Sequence, residues 1–414
     1  MAQCCGLMPL HGICSPTSAH LYFRRRSARF VYCLCVALVL GVVELLSVIH
    51  MITAFCISGV GFMSSIGYMT AGAVFYGNSC MALWLFARLA RRWPALMAAW
   101  SRVEQATWRW RRPELALRFK VITGVILATA LVEHILSILT NIPDLLFHKK
   151  HNATVCPGDQ DLVEKRVNME GWQNDFLRVY SCRSHSFIFT VVRYQTWMGV
   201  IVFIISKIAT FIWNYTDIFV CLLGSALTET YNKLNQRMLS VNGKSLRQQE
   251  WQEMREHYAM LSSLTKTVDE NISGIVLLSF TNNLYFICLQ LLNGLSPNLT
   301  SALDSVYFFG SFVFLLARTV AVTLFAARVH DESRVALPVL YNCPSDSYCE
   351  EVSRLQVQIT ADEIALTGMR FFYVTRNFML AMIGAIVTYE VVLLQFSVAM
   401  LSNKANTTSD TPSH

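Results

Sequence analysis

Charge is what this chain has least of. Asp, Glu, Lys and Arg make up 15% of its 414 residues, against roughly a quarter in an average soluble protein. With 54% hydrophobic residues and a mean hydropathy of +0.41, that shortfall excludes an ordinary soluble domain and points to a polytopic membrane protein. The 13 cysteines contain no C-x-x-C pair and no Cys/His cluster at zinc spacing, so neither a metal nor another cofactor is indicated. There is no phosphate loop, no Ser/His/Asp arrangement and no carboxylate pair with helical support, which argues against an enzyme. A cleavable leader is also missing. Residues 1–29 lack an apolar core, and Arg24, Arg25, Arg26 and Arg29 directly precede the first long apolar run, which therefore reads as an uncleaved signal anchor. The net charge of +7 lies mostly at the ends of apolar runs rather than on a soluble domain, so nucleic acid is not an expected partner and membrane lipid is.

What is present is a series of runs long enough to cross a bilayer: Phe30–Thr53, Gly67–Ala87, Val121–Phe147, Phe187–Trp213, Ile272–Leu292, Ser305–Ala327 and Phe378–Leu401. Only helices satisfy the backbone of such open-chain runs in lipid. The expected fold is therefore an all-α membrane protein with seven transmembrane helices. Lys and Arg concentrate in alternate connections, most densely in the one carrying Arg88, Arg91, Arg92, Arg102, Arg109, Arg111, Arg112 and Arg118. This bias places the N-terminus in the cytoplasm and the C-terminus outside. It divides the chain into a cytoplasmic N-terminus (1–29), four membrane helices (30–213), cytoplasmic helical extensions (214–271), two membrane helices (272–327), a cytoplasmic segment (328–377), a last membrane helix (378–401) and an extracellular, Thr- and Ser-rich tail (402–414) expected to be disordered. Seven helices begun from the cytoplasm are inverted relative to a G-protein-coupled receptor, whose Asp-Arg-Tyr and Asn-Pro-x-x-Tyr motifs are also missing.

The extensions are amphipathic. Leu223, Leu227, Leu234 and Met238, then Trp251, Met254, Tyr258, Leu261 and Val268, recur at three- and four-residue steps, the pattern of helices that bury one stripe against each other. Outside, the sequons at Asn152, Asn298 and Asn406 are glycosylation candidates, and Cys156 and Cys182 share one long external segment where they can form a disulfide.

Polar and ionisable groups cluster in the outer halves of the spans: Tyr76 and Asn78, Glu133 and His134, Arg193 and Trp197 (four apart, hence on one helix face), Asn283, and Tyr307. Taken singly, each can be a satisfied interhelical contact. Collectively, they suit a solvated pocket for a neutral, hydroxyl-rich ligand, with carboxylates and amides for its hydroxyls and an aromatic face for its C–H side.

The last run holds Thr388-Tyr389-Glu390-Val391-Val392-Leu393-Leu394-Gln395-Phe396. An acid at a helix centre costs about 2.5–3.5 kcal/mol on insertion scales, so Glu390 faces either protein or water. Thr388, Tyr389, Gln395 and Phe396 resemble the C-terminal signature of insect gustatory receptors, and Glu390, at a position usually apolar, resembles their sugar-receptor branch. The resemblance implies a seven-helix, ligand-gated, non-selective cation channel in the plasma membrane of sensory neurons, built as a homo- or hetero-tetramer with related receptors. It implies a saccharide in the pocket described above and a closed gate at Gln395 and Phe396. Tyr389 belongs to the same pore helix, where Glu390 either faces the conduit or makes an interhelical contact. It also implies a central cytoplasmic domain completed by a helix within Val352–Thr375. A related odorant-type chemoreceptor channel and a membrane transporter of a small polar solute remain alternatives at this point.

Overall fold

The computed structural model of the chain describes residues 2–13, 15, 18–57, 62–107, 115–140, 177–178, 180–182, 184–189, 191–294 and 302–409. Ten helices account for most of them: α1 (Ala28–Ile57), α2 (Phe62–Thr107), α3 (Leu115–Leu139), α4 (Ser186–Phe189), α5 (Thr196–Ser240), α6 (Gln248–Gly294), α7 (Ala302–Arg334), α8 (Leu337–Tyr341), α9 (Glu350–Ala361) and α10 (Arg376–Ser409). Before them, β1 (Leu10–His11) pairs antiparallel with β2 (Tyr22–Phe23).

Six helices among the described residues are long and apolar enough to cross a membrane: α1, α3, α5, α6, α7 and α10. The expected span Gly67–Ala87 lies within α2, which has the length but is diluted by Thr70, Tyr76, Asn78 and Ser79. The packing explains this. Helix α2 lies against α1, α5 and α6, and its polar groups bond to those neighbours or to its own backbone, as Thr70 does with Tyr285 at 2.7 Å and Ser79 Oγ does with the Phe75 carbonyl at 2.9 Å. A helix enclosed by protein needs no fully apolar surface.

Helices α5, α6 and α7 run well past their apolar stretches and form, with α8 and α9, a second packed body. The two amphipathic stripes close its core: Leu227, Met238, Trp251, Tyr258, Leu261 and Val268 are each at most 2% exposed, and burying a side chain of this size contributes about 1.5–3 kcal/mol. Trp251 Nε1 donates to Ser347 Oγ at 3.1 Å, and Tyr231 shares a 3.2 Å hydrogen bond with Thr265. Gly224 lets α5 and α7 touch backbone to backbone, because a Cβ there would fall 2.6 Å from the Phe325 carbonyl oxygen.

Three boundaries differ from the sequence reading. The run expected to open the fourth span at Phe187 is broken. Residues Ser186–Phe189 form the short, buried α4, Gln195 is extended (φ −135°, ψ 145°), and α5 begins only at Thr196. The helix expected within Val352–Thr375 begins earlier and ends at Ala361. Beyond it, Asp269 on α6 captures Thr367 through its backbone N–H (2.6 Å) and its hydroxyl (2.7 Å), and Thr367 bridges to Tyr373. This long-range contact sets the chain's path there. Finally, α10 continues through the expected disordered tail to Ser409, since no Gly or Pro follows Gly384 until Pro412 to stop it.

Candidate functional site

At the end of the bundle where α5 begins, polar side chains of α2, α3, α5, α7 and the segment before α5 come together in a cluster, called the chamber below. Its centre is Lys207 on α5. The ammonium donates to the Tyr180 hydroxyl at 3.0 Å and lies 4.8 Å and 4.7 Å from the ring centroids of Tyr180 and Phe203, a cation held over aromatic faces. Tyr180 also shares a 3.2 Å bond with Ser206. On the α2 side, the Tyr76 hydroxyl and His185 Nε2 are 2.6 Å apart, and both residues are buried. On the opposite side, Glu133 of α3 accepts a 3.0 Å bond from Ser311 of α7 and lies in electrostatic range of Lys207 and Arg318. His134 also feels the Lys207 charge, and Tyr307 bonds to Ser137 near Glu133.

Three polar atoms in this region are buried with no hydrogen-bond partner among the described residues: His134 Nε2, Ser181 Oγ and His185 Nδ1. A buried polar group without a partner costs roughly 1–3 kcal/mol. A polar molecule bound in this region would satisfy groups that the described residues leave unmet.

Beneath the chamber lies a second polar layer that the protein satisfies for itself. Asp217 of α5 is 0% exposed and accepts from Ser279 and, at 3.1 Å, from Asn283, both on α6. Arg318 of α7 places Nε 3.0 Å from Asp217; the N–H is not aimed at the oxygen, so this contact is coulombic. Its other nitrogens donate to Asn214 at 2.7 Å and to Asn283 at 3.1 Å. The guanidinium sits 4.4 Å from the Trp213 ring, whose indole N–H donates to Asn283 at 3.1 Å. Next to this layer, Asn78 donates to Asn282, at a void of about 10 Å³ also bordered by Trp213, Thr216 and Ser279. That is room for about one water.

The pocket candidates thus divide. Tyr76, Glu133, His134 and Tyr307 meet at the chamber. Asn78 and Asn283 belong to the layer beneath it. Arg193 and Trp197 do not share a helix face as expected: Arg193 precedes α5, outside any helix, and Trp197 is 60% exposed with its indole N–H on Gln195. Sequence reasoning passed over Lys207 and Arg318, although a cation inside a membrane-length apolar run is itself a signal. Tyr180 and His185 carried none, because only tertiary packing brings their segment to Tyr76.

The pore candidates all lie on α10. Tyr389 and Glu390 are half-buried, Gln395 is exposed, and the Phe396 side chain lies outside the described residues. Glu390 Oε2 has no hydrogen-bond partner among the described residues. Helix α10 packs on α6 and α7 but leaves Leu380, Val387 and Val391 exposed. Asn152, Asn298 and Cys156 lie outside the described residues, as does the Asn406 side chain. Cys182 is disulfide-bonded. Among the described residues no His/Cys/Asp/Glu group could hold a metal.

Comparison with known proteins adds independent findings. The family described as "Trehalose receptor" matches residues 1–404. The chain is 36% identical over 400 residues to "Gustatory receptor 5a for trehalose" of Drosophila melanogaster, covering 96% of the chain and 83% of that protein. It is 37% identical over 331 residues to "Gustatory receptor for sugar taste 64f" of the same fly, covering 78% of the chain and 65% of that protein. Among solved structures, it is similar to the insect olfactory receptor OR5 from Machilis hrabei, alone (TM-score 0.63, 13% identity) and in complex with eugenol (TM-score 0.62, 14% identity), each match covering 95% of this chain and 96% of the other. At that identity the likeness is one of fold.

Proposed function

The chain belongs to the trehalose-receptor family of gustatory receptors, and from that premise we propose that it is a sugar-gated, non-selective cation channel of the sensory-neuron plasma membrane. The observation that carries the reading is the cluster around Lys207, with three buried polar atoms that have no hydrogen-bond partner among the described residues. Glu133 and the imidazole nitrogens accept from sugar hydroxyls, Lys207 and the Tyr hydroxyls donate to sugar oxygens, and the rings of Tyr180 and Phe203 present apolar faces to the C–H side. A wrong ligand that leaves such groups unpaired is rejected for that reason. In this reading the chamber opens outward, with the N-terminus in the cytoplasm.

The route from chamber to pore runs through α7, which carries Tyr307 and Ser311 at the chamber and packs against α10. In the proposed tetramer, homomeric or mixed with related receptors, four copies of α10 surround the conduit. A ring of Phe396 blocks ions by dewetting, and a turn of the helix that brings Gln395 inward wets the path. Tyr389 and Glu390 lie on the same helix, and four Glu390 carboxylates in the conduit would favour cations. Sugar opens the gate because it binds the open arrangement better; a ligand with equal affinity for both states gates nothing.

The test is patch recording from cells expressing the chain against a panel of sugars. Saccharide-evoked cation currents are expected, and Phe396→Ala should raise the resting current. Currents evoked only by volatile apolar compounds, or uptake of solute with no channel openings, would overturn the sugar-channel reading.

A further inference from the structure

Five arginines gather where α1 and α2 leave their apolar stretches. Arg24, Arg25 and Arg26 follow β2, and Arg88 and Arg91 stand one turn apart on α2; all five are exposed. The two groups meet in space, since the Arg91 guanidinium lies 5.9 Å from the ring centroid of Phe23, the neighbour of Arg24. Arg88 lies 5.7 Å from the ring centroid of Trp84, itself 57% exposed. None of the five pairs with a carboxylate among the described residues. Elsewhere on the chain Arg237, Arg354 and Arg376 all have acidic partners. Like charges held together without counter-charge repel, so this arrangement carries a cost in the free protein.

The platform beneath them is rigid. Leu7 and Leu10 are 1% exposed in the core, the β1–β2 pairing fixes the approach of Arg24, and Gly12 adopts φ +78°, where a Cβ would fall 2.0 Å from the His20 carbonyl oxygen. The level of the patch is set by its surroundings. On α1, Val31, Leu34 and Leu38 are exposed apolar residues just beyond it, and on α2 so are Met81 and Trp84. Tyr22 is 54% exposed on the charged side. Exposed apolar surface, then aromatic rings, then guanidinium groups is the order met on passing from acyl chains to headgroups.

We propose that this patch binds the headgroup of a phosphorylated inositol phospholipid. A headgroup with one negative charge neutralises one arginine, whereas phosphomonoesters on an inositol ring present several dianionic faces to the guanidinium forks at once. Stacking on Trp84 and Phe23 holds Arg88 and Arg91 in place for those faces.

The experiment uses the full chain in phosphatidylcholine nanodiscs carrying a few mole per cent of bisphosphorylated phosphatidylinositol, with retained lipid counted by native mass spectrometry. Both leaflets carry the lipid, so the result does not depend on membrane orientation or on the sugar reading. Retention should exceed that of phosphatidylserine supplied at equal total charge. Each neutralised arginine should weaken binding about fivefold, so the Arg88→Gln, Arg91→Gln double variant should lose about twenty-five-fold, whereas Lys244→Gln, an exposed cation elsewhere, should lose nothing. The charge-preserving Arg88→Lys, Arg91→Lys variant should keep the fold and still lose part of the preference. Equal retention of phosphatidylserine, or full retention by both double variants, would overturn the proposal. So would soluble inositol trisphosphate binding as tightly as the lipid.

Discussion

Helices α6 and α10 are both long and apolar, yet one is finished within the chain and the other is not. In the most apolar part of α6, 39% of residues are buried; in that of α10, 6% are. The acids that meet them follow suit. Asp217, facing α6, is bound by Arg318, Ser279 and Asn283, while Glu390 on α10 leaves Oε2 without a partner among the described residues. An apolar helix that packs on few neighbours is completed by lipid or by another protein, and the carboxylate on this one is left without a full set of partners among the described residues. The contrast separates a body packed within the chain from a helix whose surface the described residues leave largely uncovered.

The sharpest way to break this contrast is to remove one half of the buried pair. Asp217→Leu or Arg318→Met alone leaves a buried charge uncompensated and should cost about 3–5 kcal/mol, read as a lower unfolding temperature in detergent and loss from the cell surface. The double variant should recover much of that loss. Equal instability of single and double variants would show that packing, not charge, dominates. Next in size is Lys207→Met at the chamber. Charge-assisted hydrogen bonds contribute about 1.5–3 kcal/mol, so the half-maximal sugar concentration should rise by one to two orders of magnitude with surface expression intact. Smaller still is Glu390→Gln. Measured on solubilised monomer, its stability should change by no more than about 0.5 kcal/mol, against the several expected at Asp217. A large change would place Glu390 within the finished body after all. Smallest is Trp197→Ala, which should leave the dose–response curve within a factor of two, because its indole is exposed and bonded to Gln195. A strong shift would bring Trp197 back into the pocket.

Much of the chain was open to reading because helix burial leaves a periodic trace. The stripes at Leu223–Met238 and Trp251–Val268 are buried as their spacing implies, and a nine-residue pattern in the last apolar run pointed to the family. The pocket was only half legible. Tyr76, Glu133, His134 and Tyr307 stand out as polar groups in apolar runs, but the same signal singled out Trp197, which is 60% exposed with its indole N–H on Gln195. Polarity within a run reports that a partner is required, not which partner the fold supplies.

Composition and apolar run length alone identified a helical membrane protein, because each run must satisfy its own backbone. Tertiary structure alone decided where the fourth span begins, why the chain leaves helix after Ala361 and which polar groups face one another. Those outcomes rest on contacts such as Asp269 with Thr367 and His185 with Tyr76, between residues far apart in the chain, where no local periodicity connects them.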